Sequence, residues 1–262
     1  YQKEQQGFSS NVLFTSSDAY LDGQFSLGED SKLISATLSR AYLEDTADVS
    51  GTVRRSTEGN LIVTLSGSYL DLSGAVPGLG AIGDSDGKNG TPLQVTGKVD
   101  TLTLGTGLDV RDAEVSWAST SAGMQKLLAN GVTDDGSAFE IELDATAPAG
   151  TDIHVASADA GFLASVFLGQ DFLEGGRLEL DGTLANEGKP SNFEIVITNG
   201  RIRNAPFLTQ ILSLASLRGL ADTLGGEGVL FSRIDVPLTI SGDRYVVEGG
   251  KAQGPALGLT VN

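Results

Sequence analysis

The chain contains no cysteine, one histidine, one methionine and one tryptophan. Without cysteine there are no disulfides and no thiolate metal sites. With a single histidine, His154, neither a zinc centre nor a histidine-based catalytic triad has its usual parts. Basic residues are also few: 17 Lys and Arg stand against 34 Asp and Glu, for a net charge of −17. Such a field repels phosphate backbones, so no nucleic-acid partner is expected, nor electrostatic docking on anionic lipid headgroups. No signal peptide or membrane span is visible. The chain opens at Tyr1, places its only methionine at Met124, and stops at residues 257–262 within an alternating pattern. It reads as a piece of a longer protein.

What is abundant is alternation. After a polar lead-in over residues 1–10, strands are expected at 11–15, 19–28, 32–43, 46–57 and 60–73. Turns at Ser17-Asp18, Gly28-Glu29-Asp30 and Glu58-Gly59-Asn60 separate them. Residues 74–90 read as a loop rich in Gly, Pro and Asp. Strands resume at 92–104, 107–118 and 123–133, and Asp134-Asp135-Gly136-Ser137 reads as a hairpin turn. Phe139, Ile141 and Leu143 then alternate with Glu140, Glu142 and Asp144. Further strands are expected at 151–157, 176–185, 193–203, 229–241, 244–253 and 257–262. A short helix is expected at 160–169, N-capped by Asp159.

A second, longer helix is expected at about 206–224. Pro206 suits a first helical position. Phe207, Leu208, Ile211, Leu212, Leu214 and Ala215 fall on one apolar face, and Gly225-Gly226 ends the segment. Gln210, Arg218 and Asp222 interrupt it too early for a membrane span, which needs about 20 mostly apolar residues. The fold class is therefore mostly β, with antiparallel strands each carrying one apolar face. A sheet this wide either splits into a self-packed sandwich or curls into a trough whose interior holds something else. Patterning leaves both open.

Motifs for chemistry are weak. Gly78-Leu79-Gly80-Ala81-Ile82-Gly83 matches G-x-G-x-x-G but sits in a loop after Pro77, not between a strand and a helix. Asp84, Asp86 and Asn89 lack the ligand series of an EF-hand. Glu140, Glu142 and Asp144 could suggest the carboxylates of a glycosidase, yet their alternation makes them the wet side of a strand. His154 alternates with Ile153 and Val155 and reads as a surface residue. No nucleophile elbow, P-loop or H-E-x-x-H occurs, so no enzyme activity, metal or cofactor is expected. A carbohydrate-binding domain would want exposed aromatics, and Trp117 is the sole tryptophan.

Residues 159–259 resemble the C-terminal region of the AsmA-like family of bacterial envelope proteins, most closely its YhdP branch, with TamB a more distant relative. The resemblance rests on pieces in order: Ser157-Ala158-Asp159-Ala160-Gly161, Gly175-Gly176-Arg177-Leu178, and Asn204-Ala205-Pro206. These are followed by Leu212-Ser213-Leu214-Ala215-Ser216-Leu217 with Gly219, Gly225-Gly226-Glu227-Gly228 with Phe231, and Gly254-Pro255-Ala256-Leu257-Gly258-Leu259. Residues 1–150 match only in style. The resemblance implies two segments of one long sheet, 1–150 and 151–262, folded into an elongated taco-like groove. It further implies a periplasmic location within a longer protein anchored in the inner membrane. Phospholipid or fatty-acyl chains would be the cargo, passing from the inner to the outer membrane, with membrane-protein partners at either end. The groove floor would include Val95, Val99, Phe139, Ile141, Leu143, Leu178, Leu180, Leu184, Ile195 and Ile197. Phe207, Leu208, Ile211 and Leu212 would contribute at the helix end. The alternative is a self-packed β-domain with a structural or assembly role in the envelope.

Overall fold

The structure is a computed structural model and describes residues 7–73, 91–105, 108–169, 171–186, 188–203, 227–255 and 258–261. The long helix expected at 206–224 and the loop at 74–90 lie outside the described residues. The chain divides into two compact units, Tyr1–Asp134 and Asp135–Asn262.

The first unit contains eight strands: β1 (Phe8–Thr15), β2 (Ala19–Leu27), β3 (Leu33–Leu43), β4 (Ala47–Arg55), β5 (Leu61–Asp71), β6 (Leu93–Thr103), β7 (Asp109–Thr120) and β8 (Gly123–Thr133). Neighbours in sequence are neighbours in the ladder, all antiparallel except β5 and β6. That pair is parallel, running from Leu61 opposite Leu93 to Asp71 opposite Thr103. It corrects the expectation of a wholly antiparallel sheet. A parallel return needs a connection of roughly a dozen residues or more, and residues 72–92 supply that length. A second correction falls at the start, where β1 begins at Phe8 inside the expected lead-in. Full pairing with β2, from Phe8 opposite Leu27 to Thr15 opposite Tyr20, outweighs the polarity of Ser9, Ser10 and Asn11.

Register shifts recur at one level of this unit: between Asp22 and Gly23 against β3, between Leu38 and Ala41 against β4, and between Asp48 and Val49 against β5. Side chains pin that seam. Arg40 donates from Nε and Nη2 to the two carboxylate oxygens of Asp48 at 2.8 and 2.9 Å, and Ser68 Oγ donates to Asp48 Oδ2 at 3.3 Å. The forked pair holds the Asp48 carboxyl below the usual carboxylate range.

The second unit contains β9 (Ala138–Asp144), β10 (Gly150–Ser157), helix α1 (Ala160–Leu168), β11 (Leu173–Glu174), β12 (Arg177–Ala185), β13 (Ser191–Ile202), β14 (Val229–Ser241), β15 (Arg244–Val247), β16 (Gly250–Gln253) and β17 (Gly258–Val261). The strand expected over 244–253 is two strands, parted at Glu248 and Gly249. Gly249, at φ 74°, is in the left-handed region and breaks the extended run. All described pairings within this unit are antiparallel.

Helix α1 lies where the short helix was expected. Asp159 Oδ1 accepts from the Phe162 N–H at 3.1 Å, and Gly169, at φ 60°, closes the helix with its N–H on the Ser165 carbonyl. The backbone latches the first turn to the sheet: Ala160 N–H donates to Gly176 O at 2.6 Å and Gly161 N–H to Gly175 O at 3.2 Å. A side chain at position 161 would run into the Leu173 carbonyl, so glycine is required there. Around this latch sits the tightest packing of the unit, with Phe231 and Ala160 1% exposed, Leu163 and Val229 3%, and Leu173 7%.

Candidate functional site: an apolar sheet face

Directly opposed residues of paired strands project from the same face of a sheet, so the registers identify the faces without further assumption. In the second unit one row runs Phe139, Ser157, Leu178, Ile197, Ile234, Ala252 and Leu259. The next runs Ile141, Val155, Leu180, Ile195 and Val236, and a third runs Leu143, Ile153, Gly182, Phe193, Leu238 and Val247. Leu184 continues the face opposite Thr151. All eight floor residues expected between 139 and 197 therefore share one side of one ladder. The third row is interrupted by Gly182, but the Phe193 ring lies over it so closely that a Cβ would collide with Cδ1.

This face is only half covered. Leu143 and Val155 are buried at 6% and 8%, whereas Phe139, Ile141, Leu178, Leu180, Ile195 and Ile197 are partly exposed and Leu184 is 46% exposed. A sandwich core would bury the central rows. At one end of the face Phe162 of α1 meets Phe139, with ring centroids 6.0 Å apart.

The opposite face is polar and acidic. Glu142, His154, Asp181 and Glu194 stand in one row; Glu140, Glu179 and Asp235 stand in another, and Asp144, Asp152, Thr183, Asn192 and Thr239 in a third. Neighbouring carboxylates are eased by local hydrogen bonds. Thr183 Oγ1 donates to Asp152 Oδ1 at 2.8 Å, and Arg233 pairs with Asp235. His154 Nδ1 lies 2.7 Å from Asp181 Oδ1, and that bond, with the charges of Asp181, Glu140 and Glu142, lifts the imidazole above its ordinary pKa despite some desolvation. The carboxylates are thus the wet side of the sheet, as their alternation implies. Among the described residues no group of three or more His, Asp or Glu is placed to hold a metal ion.

The first unit has a corresponding face. Phe25, Ala36, Val53, Val63, Val95, Trp117 and Leu127 form one row, and Leu21, Ala41, Val49, Gly67, Val99 and Ala113 form another. Val95 and Val99 thus share a face. Between these rows lies Gly23, Leu38, Gly51, Leu65, Gly97, Val115 and Ala129, in which glycine and larger residues take turns. Exposure differs by face even for side chains of one shape. Val53, Val63 and Val95 are partly covered, while their chain neighbours Thr52, Thr64 and Thr96 are exposed.

Phe207, Leu208, Ile211 and Leu212 lie outside the described residues, as do Gly78–Gly83, Asp84, Asp86 and Asn89. Sequence reasoning did not name Ile153, Val155, Phe193, Ile234, Val236 and Leu238 as floor residues. Each continues the same in–out alternation in a strand already expected, and that signal would have found them. Among the described residues no helix is long and apolar enough to cross a membrane. No family model matches the chain, and neither curated proteins nor solved structures give a match.

Proposed function

We propose that the chain is a non-enzymatic, lipid-binding segment of a bacterial envelope protein of the AsmA-like type, conducting phospholipid between the inner and outer membranes along an apolar β-groove. The observation that carries this reading is the set of aligned, half-covered apolar rows in the second unit, with α1 at one end. Removing a CH₂ group from water is worth roughly 0.8 kcal/mol, so an acyl chain needs continuous shelter to cross an aqueous space. Rows of Ile, Leu, Val and Phe provide it without chemistry. Rows of similar composition bind successive chain segments about equally, so sliding costs little, whereas one tight pocket would trap the lipid. The headgroup rides in water at the rim and needs no cationic cradle. The crowding of Val53, Val63 and Val95 relative to exposed threonines of the same shape supports a sheet curled toward its apolar side, which is the trough this function requires.

The test is direct. The purified protein is extracted with organic solvent and the extract analysed for phospholipid by mass spectrometry; the delipidated protein is then titrated with a fluorescent fatty acid. Leu180→Asp places a charge in the middle row and is expected to abolish uptake while the far-ultraviolet circular dichroism stays β. If wild-type protein takes up no lipid, or if Leu180→Asp unfolds the second unit, the row is a filled core and the structural, self-packed reading replaces this one.

A further inference from the structure

We propose that Arg201 and Arg203, at the end of β13, form a binding site for a phosphate group, with Glu174 as the counter-ion that phosphate displaces. Two arginines meet there on a single oxygen: Glu174 Oε2 lies 3.2 Å from Arg203 Nη2 and 3.9 Å from Arg201 Nε. Composition makes this unexpected, since acids outnumber bases 34 to 17. Elsewhere Arg40 with Asp48, Lys98 with Glu114, Arg111 with Asp134 and Arg233 with Asp235 are each one base to one acid. Sharing one carboxylate leaves the two arginines with excess positive charge. It also leaves N–H donors to spare, because a guanidinium carries more of them than these contacts use.

The backbone on both sides holds the pair in place. β11 brings Glu174 opposite Arg201, and β14 brings Leu230 opposite it on the other side. Arg201 Nη1 donates to the Glu227 carbonyl at 3.1 Å, which fixes one guanidinium. Both stems cross the bare α-carbon of Gly228, where a Cβ would collide with Arg203 Cγ and come within 3.1 Å of Arg201 Cγ. A ligand can reach the site, since Arg201 is 40% exposed, Arg203 42% and Glu174 50%. Two planar forks side by side suit the several oxygens of a phosphate better than one carboxylate oxygen. The charge of the whole chain repels phosphate, so this local excess is what makes binding possible. A lipid headgroup and free phosphate offer the same oxygens. On the lipid reading the site is where a passing headgroup pauses, but phosphate binding itself does not depend on that reading.

The delipidated protein is titrated with inorganic phosphate up to about 20 mM and, separately, with dihexanoyl phosphatidic acid below its micelle concentration. Arginine Nε–Hε resonances are followed by NMR. Those of Arg201 and Arg203, assigned by their loss in Arg201→Gln and Arg203→Gln, should shift together, and each variant should bind about tenfold more weakly. Arg244→Gln, which removes the same charge at the far end of β14, should leave affinity unchanged. Glu174→Gln should tighten binding, because it removes the competing carboxylate; a purely structural cluster gives no such gain. Dihexanoylglycerol, which lacks the phosphate, should leave both resonances still. Equal affinity for the two phosphate probes assigns free phosphate, and tighter binding of the lipid assigns the headgroup. The proposal is overturned if neither probe moves the two resonances, or if dihexanoylglycerol moves them as far. It also falls if Arg244→Gln weakens binding equally, or if Glu174→Gln fails to strengthen it. Fatty-acid uptake without phosphate binding would sink this site and spare the groove, and the reverse result would do the opposite.

Discussion

The two units solve the same problem with different fillings. Both present one apolar and one polar face, but the middle row of the first unit alternates Gly23, Gly51 and Gly97 with Leu38, Leu65 and Val115. The second unit lines its rows with Ile, Leu, Val and Phe and lays Phe193 over Gly182, the glycine that interrupts them. Glycine in a strand gives up packing and lets backbones and neighbouring side chains come close. Branched residues give a continuous hydrocarbon surface. The difference implies that the first unit is held by close strand packing, and the second by a local core around α1, with its remaining apolar face left available.

Substitutions can separate these two modes, and hydrogen exchange read separately in the two units reports each. The largest effect is expected from Phe231→Ala. This residue is 1% exposed, opposite Gly200 of β13, and its truncation should destabilise the second unit by about 3–5 kcal/mol while leaving protection in the first unchanged. Gly67→Val should do the reverse. A Cβ at 67 meets Val49 Cγ1 at 2.7 Å and Val49 Cα at 2.9 Å, so overpacking should cost the first unit about 1–3 kcal/mol. Equal loss in both units from either change would erase the distinction.

A smaller effect concerns binding. Ile195→Ser should weaken fatty-acid uptake roughly four-fold, the equivalent of one methylene contact at about 0.8 kcal/mol, and Leu65→Ser should weaken it less because its row is already broken by glycine. The smallest concerns protons. His154 is the only imidazole, so its titration by NMR is free of overlap, and Asp181→Asn should lower its pKa toward the ordinary 6.5. A raised folded pKa means the pair contributes stability that is fully present below the unfolded-state pKa and fades as pH rises through the folded one. With the imidazole 45% and the carboxylate 68% exposed, that contribution stays under about 1 kcal/mol. A pKa unmoved by the substitution would show that Glu140 and Glu142 set it instead.

Much of this arrangement was legible in the residues. Strict alternation at Leu178, Leu180 and Leu184 against Glu179, Asp181 and Thr183 places one face wet and one dry, whatever the neighbouring strands are. Asp159 and Gly169 announce both ends of α1. Order of pairing is less legible, because periodicity is blind to strand direction. The parallel β5–β6 ladder shows only as an unusually long connection between two strands of equal pattern. Phe8 was hidden by three polar neighbours, since a strand need not be apolar to be paired. The two-residue β11 is too short for any period and exists through its pairing of Leu173 with Ile202 and Glu174 with Arg201. Whether a one-sided strand faces another layer or a hollow depends on curvature, which no local pattern encodes.

The seam of register shifts at Asp22, Ser39 and Asp48 has an evolutionary consequence. In an alternating sheet, one inserted residue turns every later side chain over, carrying carboxylates into the dry side and leucines into water. Only where a bulge already absorbs the extra residue can strand length change by an odd number without that inversion. Related chains should therefore gain or lose single residues along the Arg40–Asp48 clasp, or at the second register shift of β3 opposite Ser26 and Leu27, and only pairs of residues elsewhere in β3 and β4.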